Sequence, residues 1–326
     1  MLHNRRVALT VVLYYILDDM AKSKFTKNVV PLHINGMDGR MLCLPAPKNR
    51  KREILLIYGH HASLERMSGI ADVLNRYGRV TIPDLPGFGG MDSFYKINRT
   101  PTLDAYADYL AAFIKLYYKR KRITVIAMSF SFIVVTRMLQ KYPELAKKID
   151  LLVSFVGFVH KDDFRFSRPS YWSLRLIARV FSFRLPALLL RYAGFNRYSL
   201  KLAYRIVASS NTKMLDADKD EFKKRVMFET ELWQINDVRS RMKTMTMMFK
   251  ADLCKQQVKL PVKHVSVPDD RYFNNKLVEQ HMRIVFTDFE DIPCLIKGHM
   301  PTVVATAKEA APFVPPRVRR LLLKKS

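Results

Sequence analysis

Short apolar runs and longer helical patterns alternate along most of the chain. Runs rich in Val, Ile and Leu predict strands at residues 40–45, 54–58, 80–82, 123–127, 151–156, 262–267 and 292–296. Helical periodicity predicts helices between them at 63–77, 102–118, 132–141 and 275–285. Continuous apolar strands joined by crossover helices are typical of a parallel sheet that is covered on both faces. The pattern therefore predicts an α/β protein.

The alternation stops between residues 160 and 255, where only helical patterns occur. These predict helices at 171–183, 185–192, 199–208 and 218–248, and no strand. A wholly helical block that follows a sheet strand, with the sheet resuming afterwards, is typical of a lid. We therefore expect an α/β core over residues 1–157 and 256–326 and an inserted all-helical lid, or cap, over 158–255.

The composition fits one large α/β domain with an insertion, because 326 residues with 49% hydrophobic content can bury a substantial core. The 56 Lys+Arg and 29 Asp+Glu give a net charge of +27. Such a charge attracts polyanions or acidic substrates, or it belongs to a solvated basic surface. No nucleic-acid-binding motif accompanies the charge, so we expect no specific nucleic-acid binding. The sequence leaves the oligomeric state open.

Residues 7–17 form an apolar stretch without a charge, directly after Arg5 and Arg6. The stretch is shorter than the roughly 20 residues that span a bilayer, and no clear cleavage site follows it. We expect these residues to form a helix that packs on the domain or lies on a membrane surface. We also expect a cytoplasmic protein, which is membrane-associated if the helix lies on a membrane. The three cysteines, Cys43, Cys254 and Cys294, have no paired spacing and predict free thiols rather than disulfides or a zinc site.

A serine stands where an apolar strand changes abruptly into a helix. Ser129 directly follows the apolar run 123–128, and a sharp turn there would lift its side chain above the carboxyl edge of the sheet. The free N–H groups of the helix would point at the same place. Residues 127–131, Ala-Met-Ser-Phe-Ser, resemble the G-x-S-x-G elbow of the α/β-hydrolase fold family, with small residues in place of both glycines. The alternative is a serine that only caps the helix.

Two further segments resemble the same family. Residues 83–90, Pro-Asp-Leu-Pro-Gly-Phe-Gly-Gly, resemble its D-x-P-G-x-G segment, which is a structural turn. Residues 54–63 resemble the strand that ends in its His-Gly oxyanion loop, with Tyr58 in place of the histidine and Gly59 retained. The resemblance implies an oxyanion hole formed by the main-chain N–H groups of His60 and Phe130, with His61 as the alternative to His60.

The resemblance also implies a Ser-Asp-His triad in the family's chain order. Asp270 follows a late strand and is the expected acid, with Asp269 as the alternative, although two adjacent aspartates also suit an ordinary turn. His299 follows Gly298 after the last predicted strand, in a segment that also suits a surface loop. In the family's mechanism His299 would accept the proton of Ser129 while Asp270 orients the imidazole. The resemblance implies no cofactor and no metal ion.

These resemblances predict a serine hydrolase that cleaves a carboxylic ester or a related acyl substrate of unknown chain length. A serine nucleophile argues against the aspartate-based chemistry of dehalogenases and epoxide hydrolases with the same fold. The alternative from another class is a non-catalytic hydrolase-fold module that binds lipid or a partner. Its elbow would be inactive because both glycines are replaced.

Basic residues have a distinct distribution. Residues 164–215 contain no acidic residue and combine Arg and Lys with aromatic and aliphatic side chains. Such helices suit either a lid whose apolar face covers the pocket while its arginines face water, or a surface that binds an anionic membrane. Basic residues also precede or open the core strands, at 50–52, 119–122, 147–148, 259 and 263. Because parallel strands start at one edge, we expect a basic patch on the face opposite the active site.

Overall fold

One eight-stranded sheet forms the centre of the protein. The computed structural model describes residues 25–194, 199, 219–294, 296, 299 and 306–324, with the main chain alone for 219–226. The strand order is β1-β2-β4-β3-β5-β6-β7-β8, with β1, β2 and β4 joined antiparallel and all other neighbours parallel. The strands are β1 (Val29–Ile34), β2 (Met37–Leu44), β3 (Arg52–Ile57), β4 (Gly78–Pro83), β5 (Ile123–Met128), β6 (Ile149–Phe155), β7 (Val258–Ser266) and β8 (Phe286–Pro293). The predicted mostly parallel sheet is confirmed.

The described part of the chain contains ten α-helices. No helix there is both long enough and apolar enough to cross a membrane. The helices are α1 (Ser68–Asn75), α2 (Leu103–Tyr117), α3 (Phe130–Lys141), α4 (Arg168–Val180), α5 (Arg184–Leu189), α6 (Lys219–Ile235), α7 (Val238–Met248), α8 (Asn275–Val285), α9 (Ala307–Ala310) and α10 (Pro316–Leu323).

The central strands and the edge strands differ in how readily the sequence predicts them. Every residue of β5 is buried, so its sequence is one continuous apolar run. The edge strand β8 buries only Phe286, Phe289 and Ile292 among polar residues, and it lies at Phe286–Pro293 rather than at the predicted 292–296. The other edge strand, β1, was not predicted, because three of its six residues are partly exposed and two are fully exposed.

The chain between β6 and β7 is helical. Its described residues form α4 to α7 without a strand, and we call residues 158–255 the helical insertion. The predicted single helix 218–248 is wrong in one respect, because the chain turns at Asn236 and a new helix begins after Asp237. The Asp237 carboxylate accepts a hydrogen bond from Ser240 N at 2.7 Å and so caps α7. The helices predicted at 7–17 and 199–208 lie outside the described residues, and the boundaries at 158 and 255 stay predictions.

The predicted basic patch at the amino ends of the strands is only partly present. Arg52 is buried and donates to Asp150 at 2.7 Å. Lys121 contacts Glu53, and Lys263 lies within 3.5 Å of two acidic residues of β8. These three cations are therefore largely neutralised. The predicted residues that remain exposed at this face are Arg50, Lys51, Lys119, Arg120, Arg122, Lys147 and Lys259.

A buried ionic network joins β2 to the turn that follows β4. Arg40 donates to Asp84 at 2.8 Å and to both carboxylate oxygens of Glu65 at 2.6 and 3.0 Å. Although burial alone would raise the pKa of Glu65, the Arg40 guanidinium lowers it below its ordinary value. Asp84 also accepts hydrogen bonds from Tyr58 Oη at 2.8 Å and from Gly90 N at 2.7 Å. The Asp84 carboxylate therefore fixes the 83–90 segment through its hydrogen bonds.

Gly89 is expected to be essential to this network. It has φ +56°, and a Cβ there would lie 2.1 Å from Asp84 Oδ1. Gly89→Ala must displace the Asp84 carboxylate from Arg40, so we expect a loss of about 3–5 kcal/mol in the free energy of unfolding. Urea unfolding followed by far-UV circular dichroism measures this loss.

Gly36→Ala is the matched control. Gly36 also has a positive φ (+75°), but the nearest atom to its added Cβ would be Ile97 Cγ2 at 3.5 Å, an ordinary contact. We expect this variant to lose only the strain of the backbone conformation, about 1–2 kcal/mol. Equal losses in the two variants would contradict the role assigned to Gly89.

Candidate active site

Ser129 occupies a strained turn between β5 and α3. Its backbone has φ 49° and ψ −117°, a conformation that costs a non-glycine residue about 1–3 kcal/mol. Ser129 N donates to Phe155 O at 2.9 Å, which ties the turn to the end of β6. Ser129 is only 9% exposed. The sharp strand-to-helix turn predicted here is present, and it places Ser129 at the carboxyl edge of the parallel strands.

The residues that replace the elbow glycines fit the turn. Ala127 is fully buried, and Ser131 Oγ accepts a hydrogen bond from Met128 N at 2.8 Å. The same hydroxyl donates to Ile57 O, also at 2.8 Å, at the end of the neighbouring strand β3. Ser131 therefore supplies hydrogen bonds that a glycine could not, and it links the elbow to β3.

Gly59 lets the loop after β3 approach the elbow closely. A Cβ at this position would lie 3.3 Å from both Ser129 Cβ and Met128 O. Nine in ten real Cβ contacts are longer than this, so a side chain at residue 59 would require its neighbours to shift by a few tenths of an ångström. The absence of a side chain keeps the main chain of residues 59–61 beside Ser129.

Asp270 and His299 form a hydrogen-bonded pair. His299 Nδ1 lies 2.5 Å from Asp270 Oδ2, and Asp270 is 2% exposed. The other carboxylate oxygen accepts hydrogen bonds from Tyr272 N at 2.8 Å and Phe273 N at 3.3 Å, which fix its orientation. The alternative acid, Asp269, is exposed. Of the two aspartates, the structure therefore brings Asp270 to the histidine.

Ser129 and His299 lie at the same edge of the sheet without a direct hydrogen bond. A narrow apolar cavity at the carboxyl ends of β5, β6 and β7 is lined by Met128, Phe155, Val267 and His299, among others. In the described residues, no hydrogen bond joins Ser129 Oγ to His299. Gly298, which precedes the histidine, lies outside the described residues.

The predicted oxyanion donors have free N–H groups. In the described part of the chain, the amides of His60 and Phe130 donate no hydrogen bond, and the same holds for His61. Buried or half-buried amides without acceptors are uncommon in proteins. Both predicted donors, and the alternative, are therefore available to a substrate oxygen.

The side chain of His60 connects the loop after β3 to the helical insertion. Its Nε2 lies 3.1 Å from Arg241 O and 3.0 Å from Thr244 Oγ1, both in α7. Because a carbonyl only accepts, Nε2 carries the proton. Burial, and then the charge of Arg241, lower the pKa of His60 well below its ordinary value, so the ring is neutral at pH 7.

His61 belongs to a second set of contacts with the insertion. Its Nδ1 lies 3.2 Å from Asn236 Nδ2, and its Nε2 lies 3.4 Å from Glu229, which accepts a hydrogen bond from Arg66 at 2.6 Å. Burial and the charge of Arg241 lower the pKa of His61 to about 3. Burial raises the pKa of Glu229, but His61 and the Arg66 charge outweigh it and bring the pKa to about 2.

These insertion contacts were not predicted from the sequence. Glu229 and Asn236 lie within the predicted helix 218–248, where nothing distinguishes them from solvent-facing residues. His60 and His61 were predicted only through their main-chain groups. The pairing of these residues depends on tertiary structure, since about 170 or more positions separate the partners.

The sheet order, the elbow and the acid–histidine pair define the class: the chain has the α/β-hydrolase fold. It resembles an epoxide hydrolase from Bacillus megaterium, with a TM-score of 0.63 and 13% identity over 91% of this chain and 100% of that one. It also resembles a thermophilic esterase from Thermogutta terrifontis (TM-score 0.56, 16% identity, 91% and 99% covered). A hydrolase from Oleispira antarctica gives a TM-score of 0.62 at 12% identity, with 87% and 94% covered. No protein-family model and no curated protein matches the chain.

Glu231 in α6 should make the stability of the protein depend on pH. Its Oε1 is buried without a hydrogen-bond partner, and burial together with the charge of Glu65 raises its pKa to about 7. The folded protein then binds this proton more tightly than the unfolded chain, whose carboxyl has the ordinary value of 4.5. Stability is therefore lost as the pH rises from 4.5 to about 7.

Glu231→Gln removes this charge. We expect the variant to be about 1–3 kcal/mol more stable than the parent at pH 8 and to differ little at pH 5, as measured by urea unfolding. Glu279→Gln on the exposed face of α8 is the control and should show no such pH dependence. An equal gain from Glu231→Gln at both pH values would refute the assignment.

Proposed function

We propose that the protein is a serine hydrolase that cleaves a carboxylic ester or a related acyl substrate through Ser129, His299 and Asp270. The observation that carries the proposal is the strained backbone of Ser129 at the turn between β5 and α3. A non-glycine residue keeps such a conformation only where its surroundings enforce it, and strain of this kind clusters at active sites. The Asp270–His299 hydrogen bond and the free amides of His60 and Phe130 support the same conclusion.

The mechanism follows from the chemistry of these groups. Ser129 Oγ attacks the carbonyl carbon of the substrate while His299 Nε2 takes its proton. Asp270 accepts the hydrogen bond of His299 Nδ1–H, which holds the tautomer in which Nε2 can act as a base and stabilises the imidazolium. The amides of His60 and Phe130 donate to the oxyanion. His299 then protonates the leaving alcohol, and it activates the water that releases the acid from the acyl-enzyme.

We further propose that the helical insertion acts as a lid. Ser129 is 9% exposed, so a substrate of ordinary size reaches it only when neighbouring elements move. The contact of His60 Nε2 with α7 supports a coupling, since the residue that supplies an oxyanion amide also holds the insertion. Movement of α7 would then change the geometry of the oxyanion loop.

A non-catalytic hydrolase-fold module is the second candidate. It is favoured by one observation, the absence of a hydrogen bond between Ser129 and His299 in the described residues. Catalytic hydrogen bonds are often long before substrate binds, so this observation does not outweigh the geometry of the elbow.

Labelling by a fluorophosphonate separates the two candidates. The wild-type protein should form a covalent adduct that is lost in Ser129→Ala, because the phosphonate reacts only with an activated hydroxyl. Intact-mass spectrometry measures the adduct. Ser170→Ala, in an exposed serine of α4, is the control and should label normally. A folded wild-type protein that stays unlabelled would favour the binding module.

Replacing the acid tests the role of the Asp270–His299 pair. With a series of chromogenic esters of increasing acyl length, Asp270→Asn should lower kcat by about 10³–10⁴, since the amide favours the wrong imidazole tautomer. Asp269→Asn is the adjacent control and should stay within about twofold, because surface substitutions have small effects. If both variants keep the parent kcat on every ester of the series that is cleaved, Asp270 has no catalytic role.

A further inference from the structure

An apolar face is exposed on the helical insertion. Nine of the twelve large hydrophobic residues that are most exposed in the described chain lie between residues 172 and 192. The six most exposed, which we call the apolar face, are 60–68% accessible: Trp172, Leu176, Phe183, Leu185, Leu189 and Tyr192. A cluster of this kind marks an interaction site in a soluble domain.

The apolar face results from how α4 and α5 pack. Both helices lie on α7, and the residues they bury there are small: Ala178 is fully buried and Ala187 is 5% exposed. Most of their larger side chains are exposed, whereas Tyr171 of α4 donates a hydrogen bond to Phe249 O at 2.7 Å. In these two helices apolar residues are exposed together with arginines, which suits the membrane-binding surface that is one of the two arrangements expected from the sequence.

Arginines border the apolar face. In α4, Arg168, Arg175 and Arg179 share one side of the helix, next to the strip formed by Trp172 and Leu176. The Arg175 guanidinium lies 5.0 Å from the centre of the Trp172 ring. Residues 164–194 contain six arginines and no acidic residue, so no carboxylate within this segment neutralises them.

We propose that the apolar face and its bordering arginines dock on the surface of an anionic lipid bilayer. Aliphatic and aromatic side chains enter the boundary between headgroups and acyl chains, while the arginines contact the lipid phosphates and carboxylates. A bilayer supplies both the apolar volume and the negative charge. A second copy of the chain supplies only the apolar part, because its own arginines would face those of the first.

Vesicle co-sedimentation tests the proposal with the full chain and does not require turnover. The protein should bind phosphatidylcholine vesicles that contain phosphatidylserine, and bind vesicles of phosphatidylcholine alone at least about tenfold more weakly. Leu176→Asp combined with Leu185→Asp should weaken binding to the anionic vesicles on the order of a hundredfold. The matched control, Leu116→Asp combined with Ile284→Asp, changes residues that are 59% and 48% exposed on α2 and α8 and should bind normally.

The two tryptophans allow a second readout. Trp172 is 60% exposed within the apolar face, whereas Trp233 is 8% exposed beneath it. Brominated lipids in the anionic vesicles should quench the fluorescence of the wild-type protein. Trp172→Phe should keep the binding and lose the quenching, because a phenylalanine still inserts but the remaining tryptophan does not reach the lipid.

Three results would overturn the proposal. The first is the absence of binding to anionic vesicles by the folded protein. The second is binding that Leu176→Asp/Leu185→Asp leaves unchanged, which would assign it to the general positive charge. The third is self-association in sedimentation-velocity runs that this variant abolishes, without vesicle binding, which would assign the face to a second copy. None of these results depends on whether Ser129 is catalytic.

Discussion

The close contact between the loop after β3 and the turn after β5 is the constraint on which the candidate active site depends. The positive φ of Ser129 is accommodated where the neighbouring loop has no side chain at residue 59 and where the turn is anchored from the other side. Ser131 provides that anchor through its hydroxyl, which links Met128 N to Ile57 O. The two central strands of the sheet, β3 and β5, therefore bring Ser129 and the loop after β3 together.

The loop after β3 also contacts the helical insertion. The side chains of His60 and His61 contact α7 and the turn before it, while Asn236 accepts a hydrogen bond from Gly89 N at 2.8 Å. The insertion thus contacts both the loop after β3 and the 83–90 turn. Because the latter is centred on the Asp84 carboxylate, the position of α6 and α7 depends on a buried ionic network in the core. Polar contacts therefore join the core to the insertion in addition to apolar packing, in which Met248, Ala251 and Leu253 belong to the main hydrophobic core.

Sequence reasoning succeeds where burial is complete and fails where structure depends on distant partners. The apolar runs that form β3, β5 and β6 predict strands because both faces of these strands are covered. The sequence analysis did not predict the edge strand β1. The dipeptide Asn35-Gly36, in which both residues have a positive φ, is nevertheless typical of a hairpin turn such as the one between β1 and β2. The predicted helix 218–248 is divided in two because the Asp237 side chain caps the amino end of α7. Ser129, Asp270 and His299 were found by resemblance, whereas the contacts of Glu229 and Asn236 carry no local signature.

Tyr58 shows what a departure from a family motif can mean. Its phenol group donates to Asp84 Oδ1 and accepts from Leu85 N at 2.9 Å, so it bridges the end of β3 and the turn after β4. A replacement at position 58 must span the same gap to position 84. In an alignment of related sequences, we would therefore expect these two positions to co-vary. Position 59 should favour glycine whichever residues stand at 58 and 84, because a Cβ there would crowd Met128 O and Ser129 Cβ at 3.3 Å.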